Sequence, residues 1–554
     1  MGGIAGFCSG VNEYSAQRAT YAYLLGKMSE KISHRGDGAS EGFVDDFIGF
    51  FAANAKDVFI NENFRVIADG EIYNRAEIVH LLESKGFAFR TKNLPEIILG
   101  GYLHYGAECA SILNGEFAFV IWDSKRKIFF MCRDRLGLKP LFYAIKNRNI
   151  VFGSEIKALF EFPDISRNVG QEGLCAAFGL SPRPDGCGVF DEIKEVKSGH
   201  YAVYKNSKLI HLPYWSFTSV KNDFTREEAV EHARFIITDA MKRRLDKNAC
   251  AIVKDTWSRV AASIAARELE ERGEKLTVFT IDEHFEFSAQ EQIDALLRAV
   301  IACDYPCGGS ERSLSYDKIA PAHPSVITGD CAAEFGFWTK RSPFAIDYNF
   351  KKSFLSRDFI QHAKPDECAK RYLQETLRLT PRLPGENPKA REASYIGVKL
   401  KAARALELND RLCAAVKKQN RGQRETFAAR SPYTDCRVAE FFWNIPIEMK
   451  ANGSLIKDAF KDYPPLLAPG SPAPEGASDF HKKAIPDYAK ALRSAFLDIL
   501  SPRLTPFINK EKLLSFISDA PNEASFENIR ATRLMETFIQ VENWLDKYNV
   551  RVTL

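Results

Sequence analysis

The chain has 554 residues, enough for two or three domains, and its 45% apolar and 27% charged residues are ordinary for a globular protein. Its 76 basic and 72 acidic residues nearly balance, which gives no reason to expect a nucleic acid or an anionic membrane as a partner. No apolar run approaches the ~18 residues needed to span a bilayer, and the N-terminus shows no secretory signal. We therefore expect a cytoplasmic protein.

The 12 cysteines are scattered along the chain without zinc-ligand spacing. The closest pair, Cys303 and Cys307, has no matching second pair. We expect reduced, mostly buried thiols and no metal site.

Short strands and helices alternate through the first 215 residues. The patterns predict strands at 4–7 and 64–68 and helices at 16–33, 74–84 and 95–105. The first helix ends in the turn Ser33-His34-Arg35-Gly36-Asp37-Gly38, and the second strand continues into Asp69-Gly70-Glu71.

The stretch 114–160 carries the most specific pattern of this half. Two apolar runs, Phe117–Trp122 and Lys127–Cys132, predict a hairpin. The segment Arg133–Leu141 follows, then a strand at Asn149–Phe152, and Ser154–Leu159 opens a helix. On its own, this pattern is also compatible with a generic strand meander.

From Thr225 onward, longer helices alternate with apolar strands. We predict helices at 226–245, 258–272 and 288–302 and strands at 249–253, 276–281 and 325–328. This alternation is typical of an open parallel sheet with helices on its faces. The polar segment 218–225 is the expected linker, residues after Leu355 are expected to be mostly helical, and the prolines of 464–476 predict a loop.

The motifs G-x-F-A-F-x-x-W-D, R-D-R-x-G-x-K-P-L and S-E-x-K-A-L, in this order within 115–159, closely resemble the glutaminase domain of the asparagine synthetase B family. The resemblance covers essentially the whole chain. It implies an Ntn-hydrolase-like αββα sandwich of the class II amidotransferase kind at 1–217. It also implies an ATP-pyrophosphatase-like parallel sheet with helices at 225–554.

The resemblance also locates a glutaminase site, which differs here from the family pattern. The family nucleophile is the cysteine after Met, but this chain has Gly2, and Cys8 is expected to be a core thiol. The family's N-G-E becomes Asp69-Gly70-Glu71, so a carboxylate replaces an oxyanion donor. Its S-D-x-E becomes Asn93-Leu94-Pro95-Glu96, and its substrate-binding arginine, expected near residues 50–56, is absent. We therefore expect no glutaminase activity.

The nucleotide-binding motifs differ as well. Where the family has S-G-G-x-D-S, which cradles pyrophosphate, this chain has Lys254-Asp255-Thr256-Trp257-Ser258-Arg259. Where the family has S-G-E-G-[SA]-D-E, this chain has Thr328-Gly329-Asp330-Cys331-Ala332-Ala333-Glu334. Asp330 then stands for the catalytic glutamate, and Ala333 replaces an aspartate that serves magnesium. Trp257 could either fill the nucleotide pocket or point away from it.

One catalytic element of the family remains. Asn452-Gly453-Ser454-Leu455-Ile456-Lys457 matches the turn and helix that present the family's catalytic lysine, so Lys457 occupies that position. The preceding Ala429–Asp435 matches a structural turn, A-R-x-P-F-x-D. An exposed helical lysine without a catalytic role is the competing interpretation.

Three interpretations follow for function. The favoured one is a pseudoenzyme that acts as a binding or scaffolding partner in a biosynthetic pathway, either as a homodimer or in a heteromer with a related or pathway enzyme. The alternative is a glutamine-independent, amide-forming ligase related to β-lactam synthetases, which would need ATP and magnesium and would use Lys457 and Asp330. The third is a binder of a cationic small molecule at Asp69 and Glu96.

Overall fold

In the computed structural model, the described residues are 2–36, 39–180, 185–218, 220, 222–280, 287–307, 310–332, 351–368, 370, 410–411, 413, 427–450, 453–463, 487–496, 503–519 and 526–553. They form two compact units. Those of the first unit lie within Met1–Arg167 and Pro184–Phe217, and those of the second within Asn168–Arg183, Thr218–Gln419 and Phe427–Leu554. Within these described ranges, no helix is both long and apolar enough to cross a membrane.

The strands, in chain order, are β1 Ile4–Cys8, β2 Glu41–Val44, β3 Ile48–Ala52, β4 Val58–Ile60, β5 Phe64–Ile72, β6 Gly115–Asp123, β7 Ile128–Arg133, β8 Phe142–Lys146, β9 Asn149–Gly153, β10 Asn168–Val169, β11 Lys194–Glu195, β12 His200–Lys205, β13 Lys208–Pro213, β14 Cys250–Val253, β15 Thr277–Thr280, β16 Ser325–Ile327, β17 Ala428–Arg430 and β18 Arg551–Val552. The helices are α1 Arg18–Ile32, α2 Arg75–Ser84, α3 Leu94–Tyr105, α4 Ile156–Leu159, α5 Gln171–Ala177, α6 Arg226–Arg244, α7 Thr256–Glu271, α8 Ala289–Cys303, α9 Ser310–Ile319, α10 Arg357–Ala363, α11 Cys436–Asn444, α12 Ile447–Lys450, α13 Ser454–Ala459, α14 Lys510–Asp519 and α15 Phe526–Lys547.

The first unit contains two six-stranded sheets. Their strand orders are β11-β8-β9-β1-β3-β2 and β13-β12-β7-β6-β5-β4, and all their strand pairs are antiparallel. One apolar core, which includes Phe50, Trp122 and Phe152, takes side chains from both sheets. A second core joins the outer face of the second sheet to α2 and α3, and α1 packs on β1, β2 and β3. The predicted αββα sandwich is confirmed.

The loop after β7 is held by its own side chains. The Arg133 guanidinium donates to the carbonyl oxygens of Lys139 and Gly137, both at 2.7 Å, and pairs with Glu195 at 2.9 Å. The Asp134 carboxylate accepts three backbone N–H bonds, from Leu136, Leu138 and Lys139. Burial still raises the pKa of Asp134, to about 6. The R-D-R-x-G-x-K-P-L motif thus shapes the backbone through buried polar contacts.

The second unit contains a four-stranded parallel sheet of order β15-β14-β16-β17. Helices α6 and α7 pack against each other, and α7 also packs on β14 and β16. The predicted parallel sheet is confirmed. The loop expected at 464–476 and most residues between 371 and 426 lie outside the described residues.

Residues 168–180 belong to the second unit, although the chain enters them from the first unit and returns to it afterwards. β10 pairs in parallel with β18. The ring of Phe178 lies 5.2 Å from that of Phe359, 6.0 Å from that of Phe507 and 5.9 Å from that of Phe538. A strand pair and an aromatic cluster therefore hold this segment in place.

Candidate functional site

Gly2 lies just before β1, at the position that the resemblance gives to the glutaminase nucleophile. Its backbone N–H donates to Oδ1 of Asp69 at 3.0 Å, and its carbonyl oxygen accepts from Nε of Arg35 at 2.9 Å. A Cβ atom on residue 2 would lie 2.3 Å from Oδ2 of Asp57, far inside van der Waals contact. The Asp57 carboxyl group therefore occupies the space that a side chain at position 2 would need.

Asp57 is held in this place by a short 3₁₀ turn, Ala55–Asp57, between β3 and β4. Its Oδ2 atom accepts a hydrogen bond from Nδ2 of Asn54 at 2.9 Å, and the side chain is buried. Burial raises the pKa of Asp57 to about 6, and the charge of Asp69 adds to the rise while the Asn54 hydrogen bond opposes it. Near neutral pH, this carboxyl group is thus ionised at a cost to the folded state.

Asp57→Asn is expected to stabilise the protein at pH 8 by about 2 kcal/mol and to have little effect at pH 4. The folded-state pKa of about 6 lies above the usual 3.8, so the carboxyl's contribution to stability is complete below pH 4 and declines as pH rises through 6. Urea unfolding of both proteins from pH 4 to pH 8 measures the difference. A difference that stays constant over this range would contradict the assignment.

Asp69 is completely buried within an ion-pair cluster. The Arg35 guanidinium lies 3.2 Å from Oδ2 of Asp69 and 3.1 Å from Oε1 of Glu155, and all three side chains are inaccessible to solvent. His34 and Lys157 approach the same Glu155 carboxylate at 3.0 and 2.7 Å. Burial alone would raise the pKa of Glu155, but Lys157, His34 and Arg35 hold it well below its usual value. The cluster fixes the carboxylate of Asp69 in front of Gly2.

Gly70 follows Asp69 in β5 and has φ +141°, a conformation that favours glycine. A Cβ atom there would lie 2.0 Å from the carbonyl oxygen of Glu116 in the neighbouring strand. The close approach of two backbones accounts for this glycine without any substrate.

Glu96 lies in the first turn of α3 and is buried. Its carboxylate accepts from the backbone N–H groups of Arg90, Thr91 and Lys92 at 2.6, 2.6 and 2.7 Å. Burial alone would raise the pKa of Glu96, but these hydrogen bonds outweigh it and lower the pKa. Since Glu96 and Asp69 are both buried and bound by protein donors, neither offers an acceptor to a cationic small molecule, and that interpretation loses its basis.

In the second unit, the loop after β14 leads into α7, where the family cradles pyrophosphate. Oδ1 of Asp255 accepts from the backbone N–H groups of Trp257 and Ser258 at 3.1 and 2.8 Å. Oγ of Ser258 accepts from the backbone N–H groups of Lys254 and Asp255, both at 3.0 Å. Four backbone donors are thus satisfied by two side chains of the same turn, which is a capping box. Thr256, the first residue of α7, is half-buried.

Gly329, which follows β16, packs against the N-terminus of α7. A Cβ atom on Gly329 would lie 2.4 Å from the backbone nitrogen of Ser258, so the two backbones are in direct contact. Trp257 is buried, and its carbonyl oxygen accepts from the hydroxyl of Tyr433 at 3.3 Å. The start of α7 is therefore packed against protein.

Asp330 and Lys457 do not form the acid–base pair that the ligase interpretation requires. Asp330 is buried and lies 3.2 Å from the guanidinium of Arg312 and 3.9 Å from Nζ of Lys254. Lys457 lies in α13 with an exposed side chain, and among the described residues it has no ion-pair or hydrogen-bond partner. Ala333 and Asn452, which belong to the same motifs, lie outside the described residues.

These contacts test whether the second unit fits ATP with magnesium, which the resemblance implies for an active member. Pyrophosphate needs free backbone donors and close access to a helix terminus, whereas here four donors are capped and Gly329 covers the turn. Magnesium needs carboxylate oxygens, but Asp255 caps the helix and Asp330 pairs with Arg312. The described residues do not fit the nucleotide–metal complex.

The residues that surround Gly2 were only partly predictable. Gly2 and Asp69 were predicted to belong to one site, and they are in contact. Asp57, Asn54, Arg35 and Glu155 were not predicted to belong to it. Arg35 lies in the Ser33–Gly38 turn and Glu155 in the S-E-x-K-A-L motif, and a charged residue beside an apolar strand was the signal that could have identified each of them.

Comparison with known families defines the class of protein first. Residues 1–215 match the glutamine amidotransferase domain, and residues 265–546 match asparagine synthase. A glutaminase-type sandwich thus precedes a synthetase-type parallel sheet in one chain. The chain belongs to the asparagine synthase family.

Individual relatives agree with this assignment. Asparagine synthetase [glutamine-hydrolyzing] 3 of Bacillus subtilis is 26% identical over 552 residues, covering 89% of this chain and 88% of the relative. Amidase chry2 of Gibberella zeae is 29% identical over 196 residues, which cover 32% of this chain and 27% of the amidase. Among solved structures, a B. subtilis glutamine phosphoribosylpyrophosphate amidotransferase aligns at 14% identity, covering 50% of this chain and 65% of that one, with a TM-score of 0.28.

Proposed function

We propose that this member of the asparagine synthase family is a pseudoenzyme. It hydrolyses no glutamine, forms no acyl-adenylate, and acts as a binding or scaffolding partner in a biosynthetic pathway. The observation that carries the proposal is the position of the Asp57 carboxyl group, 2.3 Å from where a side chain on residue 2 would begin. No side-chain nucleophile exists at that position, and a substrate amide would meet two buried acidic groups there.

The synthetase half supports the same proposal by separate contacts. The capped start of α7 and the backbone of Gly329 oppose pyrophosphate binding, and Asp330 is engaged with Arg312. Two chemically independent sites are altered, while structural elements such as the Arg133–Leu141 loop are still shaped by buried hydrogen bonds. A protein that acts by binding is expected to keep its fold while its catalytic residues are replaced.

The proposed binding role includes self-association or association with a related or pathway enzyme. Members of this family commonly pair through their glutaminase domains, and the corresponding sandwich is complete in this chain. A homodimer is expected in light scattering at micromolar concentration. A mass equal to one chain throughout that range would count against the homodimer.

The test of the proposal is a paired assay of both activities. The protein is incubated with glutamine, and separately with ATP, magnesium, aspartate and ammonia, while glutamate and pyrophosphate release are measured. The B. subtilis asparagine synthetase serves as the active control. We expect no release above background and no calorimetric signal for ATP with magnesium, since micromolar affinity would require about 8 kcal/mol of binding free energy.

Lys457→Ala separates the pseudoenzyme from the glutamine-independent ligase. The exposed Lys457 has no described partner, so the substitution is expected to change the free energy of unfolding by less than about 0.5 kcal/mol and to alter no activity. ATP-dependent pyrophosphate release that disappears in Lys457→Ala, with stability unchanged, would establish the ligase and overturn the proposal.

A further inference from the structure

Two buried cysteines of the second unit share one hydrogen-bond acceptor. Cys175 lies in α5, and Cys368 lies in the helical residues 365–368 that follow α10. The Sγ atoms donate to the carbonyl oxygen of Ala363 at 3.6 and 3.7 Å respectively. Cys175 is 0% exposed to solvent, and Cys368 is 4% exposed. Residues distant in sequence therefore present two sulfur atoms to the same oxygen.

The two thiols also interact with each other. The hydrogen bond between them, together with burial, raises the pKa of Cys175. By contrast, the buried thiols of Cys250 and Cys307 donate to separate carbonyl oxygens, those of Ser325 and Ala299. All twelve cysteines of the chain are free thiols. When the Cα atoms of two cysteines are close, rotation about their side-chain bonds can bring the sulfur atoms to the S–S bond length of ~2.0 Å.

We propose that Cys175 and Cys368 form a site of reversible disulfide exchange with low-molecular-weight disulfides such as glutathione disulfide. The thiolate of Cys368, the more exposed of the pair, attacks one sulfur of glutathione disulfide and releases one glutathione thiolate. Cys175 then loses its proton and attacks the Cys368 sulfur of the mixed disulfide, releasing the second glutathione. Two protein thiols are oxidised and one glutathione disulfide is reduced to two glutathione molecules, so electrons and protons balance.

The bond has a defined structural effect within the second unit. It would tie α5 to the helical residues 365–368 after α10, and thus add a covalent link to segment 168–180. That segment is otherwise held by the β10–β18 pair and the ring contacts of Phe178. Because the link would close a long loop in the unfolded chain, the oxidised protein should unfold at a higher temperature than the reduced protein. This proposal does not depend on the absence of enzymatic activity.

The test uses the full chain with Cys187→Ser, since Cys187 is the one cysteine that is only half-buried. This protein is incubated with glutathione disulfide, denatured and titrated for free thiols, and its peptides are analysed by mass spectrometry. We expect a loss of two thiols, a peptide pair joined through Cys175 and Cys368, and recovery of both thiols with dithiothreitol. The rate should rise about tenfold per pH unit below the thiol pKa, because the thiolate is the nucleophile.

Added variants distinguish the proposed pair from general oxidation. Cys175→Ser and Cys368→Ser, each in the Cys187→Ser background, should lose no thiol pair and should show no rise in unfolding temperature with glutathione disulfide. Cys307→Ser, a buried thiol with its own acceptor, should still lose two. Stable glutathione adducts on the protein that retains both Cys175 and Cys368, a linked pair that involves other cysteines, or no thiol loss at all in that protein would each overturn the proposal. Circular dichroism of each variant verifies the fold, and Cys175→Ala replaces Cys175→Ser if the serine variant does not fold.

Discussion

Replacing Gly2 with cysteine is expected to yield a protein that still releases no glutamate from glutamine and that unfolds more readily than the wild type. The new Cβ atom would begin 2.3 Å from Oδ2 of Asp57 and 3.3 Å from Oδ1 of Asp69, so buried carboxyl groups must shift. Forcing atoms into a packed interior typically costs 1–3 kcal/mol. Urea unfolding and a glutamate-release assay measure the two effects.

Two further variants show whether the crowding is local to Asp57. Gly2→Cys combined with Asp57→Ala should recover part of the lost stability, because the second substitution removes the clashing atoms. Gly26→Ala on α1 is the matched control, since a Cβ atom there meets nothing within 4 Å and the change should be neutral or stabilising. Glutamate release by Gly2→Cys, or wild-type stability of that variant, would contradict the assignment of Asp57.

Asp435→Ala is expected to destabilise the second unit by about 3–5 kcal/mol, the cost of breaking a buried ion pair. The Asp435 carboxylate lies 2.8 Å from the Arg244 guanidinium, and both side chains are almost completely buried. Asp435 also caps α11 by accepting from the backbone N–H of Arg437 at 2.9 Å. The substitution thus leaves a buried cation without its carboxylate and a helix without its cap. Denaturant unfolding followed by circular dichroism gives the difference.

The pH dependence of stability identifies the electrostatic share of this effect. Burial alone would raise the pKa of Asp435, but Arg244 and Arg437 hold it well below its usual value. This contribution is therefore present above about pH 4 and is lost as pH falls through the lowered folded-state pKa. Asp435→Ala should therefore not show this loss of stability as the pH falls.

Arg437→Met is the control for the role of Arg244. It removes a cation that is 36% exposed, so it should lower the free energy of unfolding by about 1 kcal/mol or less. An equal loss for Asp435→Ala and Arg437→Met would contradict the dominant role of Arg244.

Element positions in this fold could be predicted closely from local patterns. The predicted hairpin at 117–132 corresponds to β6 and β7, and the helix predicted at 226–245 agrees with α6 to within one residue. In the structure, Thr225 and Glu228 form a capping box at the start of α6. The strand predicted at 64–68 extends further, to Ile72 in β5, since the backbone groups of residues 69–72 pair with β6 across Gly115–Ala118. Pairing of that kind depends on a distant strand and leaves no mark in local sequence.

The contacts that decide function were harder to predict. The sequence shows directly that position 2 is glycine and carries no nucleophile. It does not show which side chain occupies the space beside Gly2. Asp57 reaches Gly2 because β3 pairs with β1 and a 3₁₀ turn follows β3. Likewise, Gly329 reaches Ser258 only because β14 and β16 are neighbours in the parallel sheet. Each contact depends on strand order, which periodicity alone does not determine.

The placement of residues 168–180 constrains how the chain can be completed during synthesis. Val169 and Phe178 are fully covered in the folded protein, but β18 and the rings of Phe507 and Phe538 are made much later. During translation, the strands of the first unit on both sides of this segment are therefore complete before these partners of the segment have been synthesised. Nascent chains that stall before residue 507 lack β18 and the rings of Phe507 and Phe538, and should expose these apolar side chains to chaperones and proteases. No single peptide-bond cleavage can separate the two units with all of their residues.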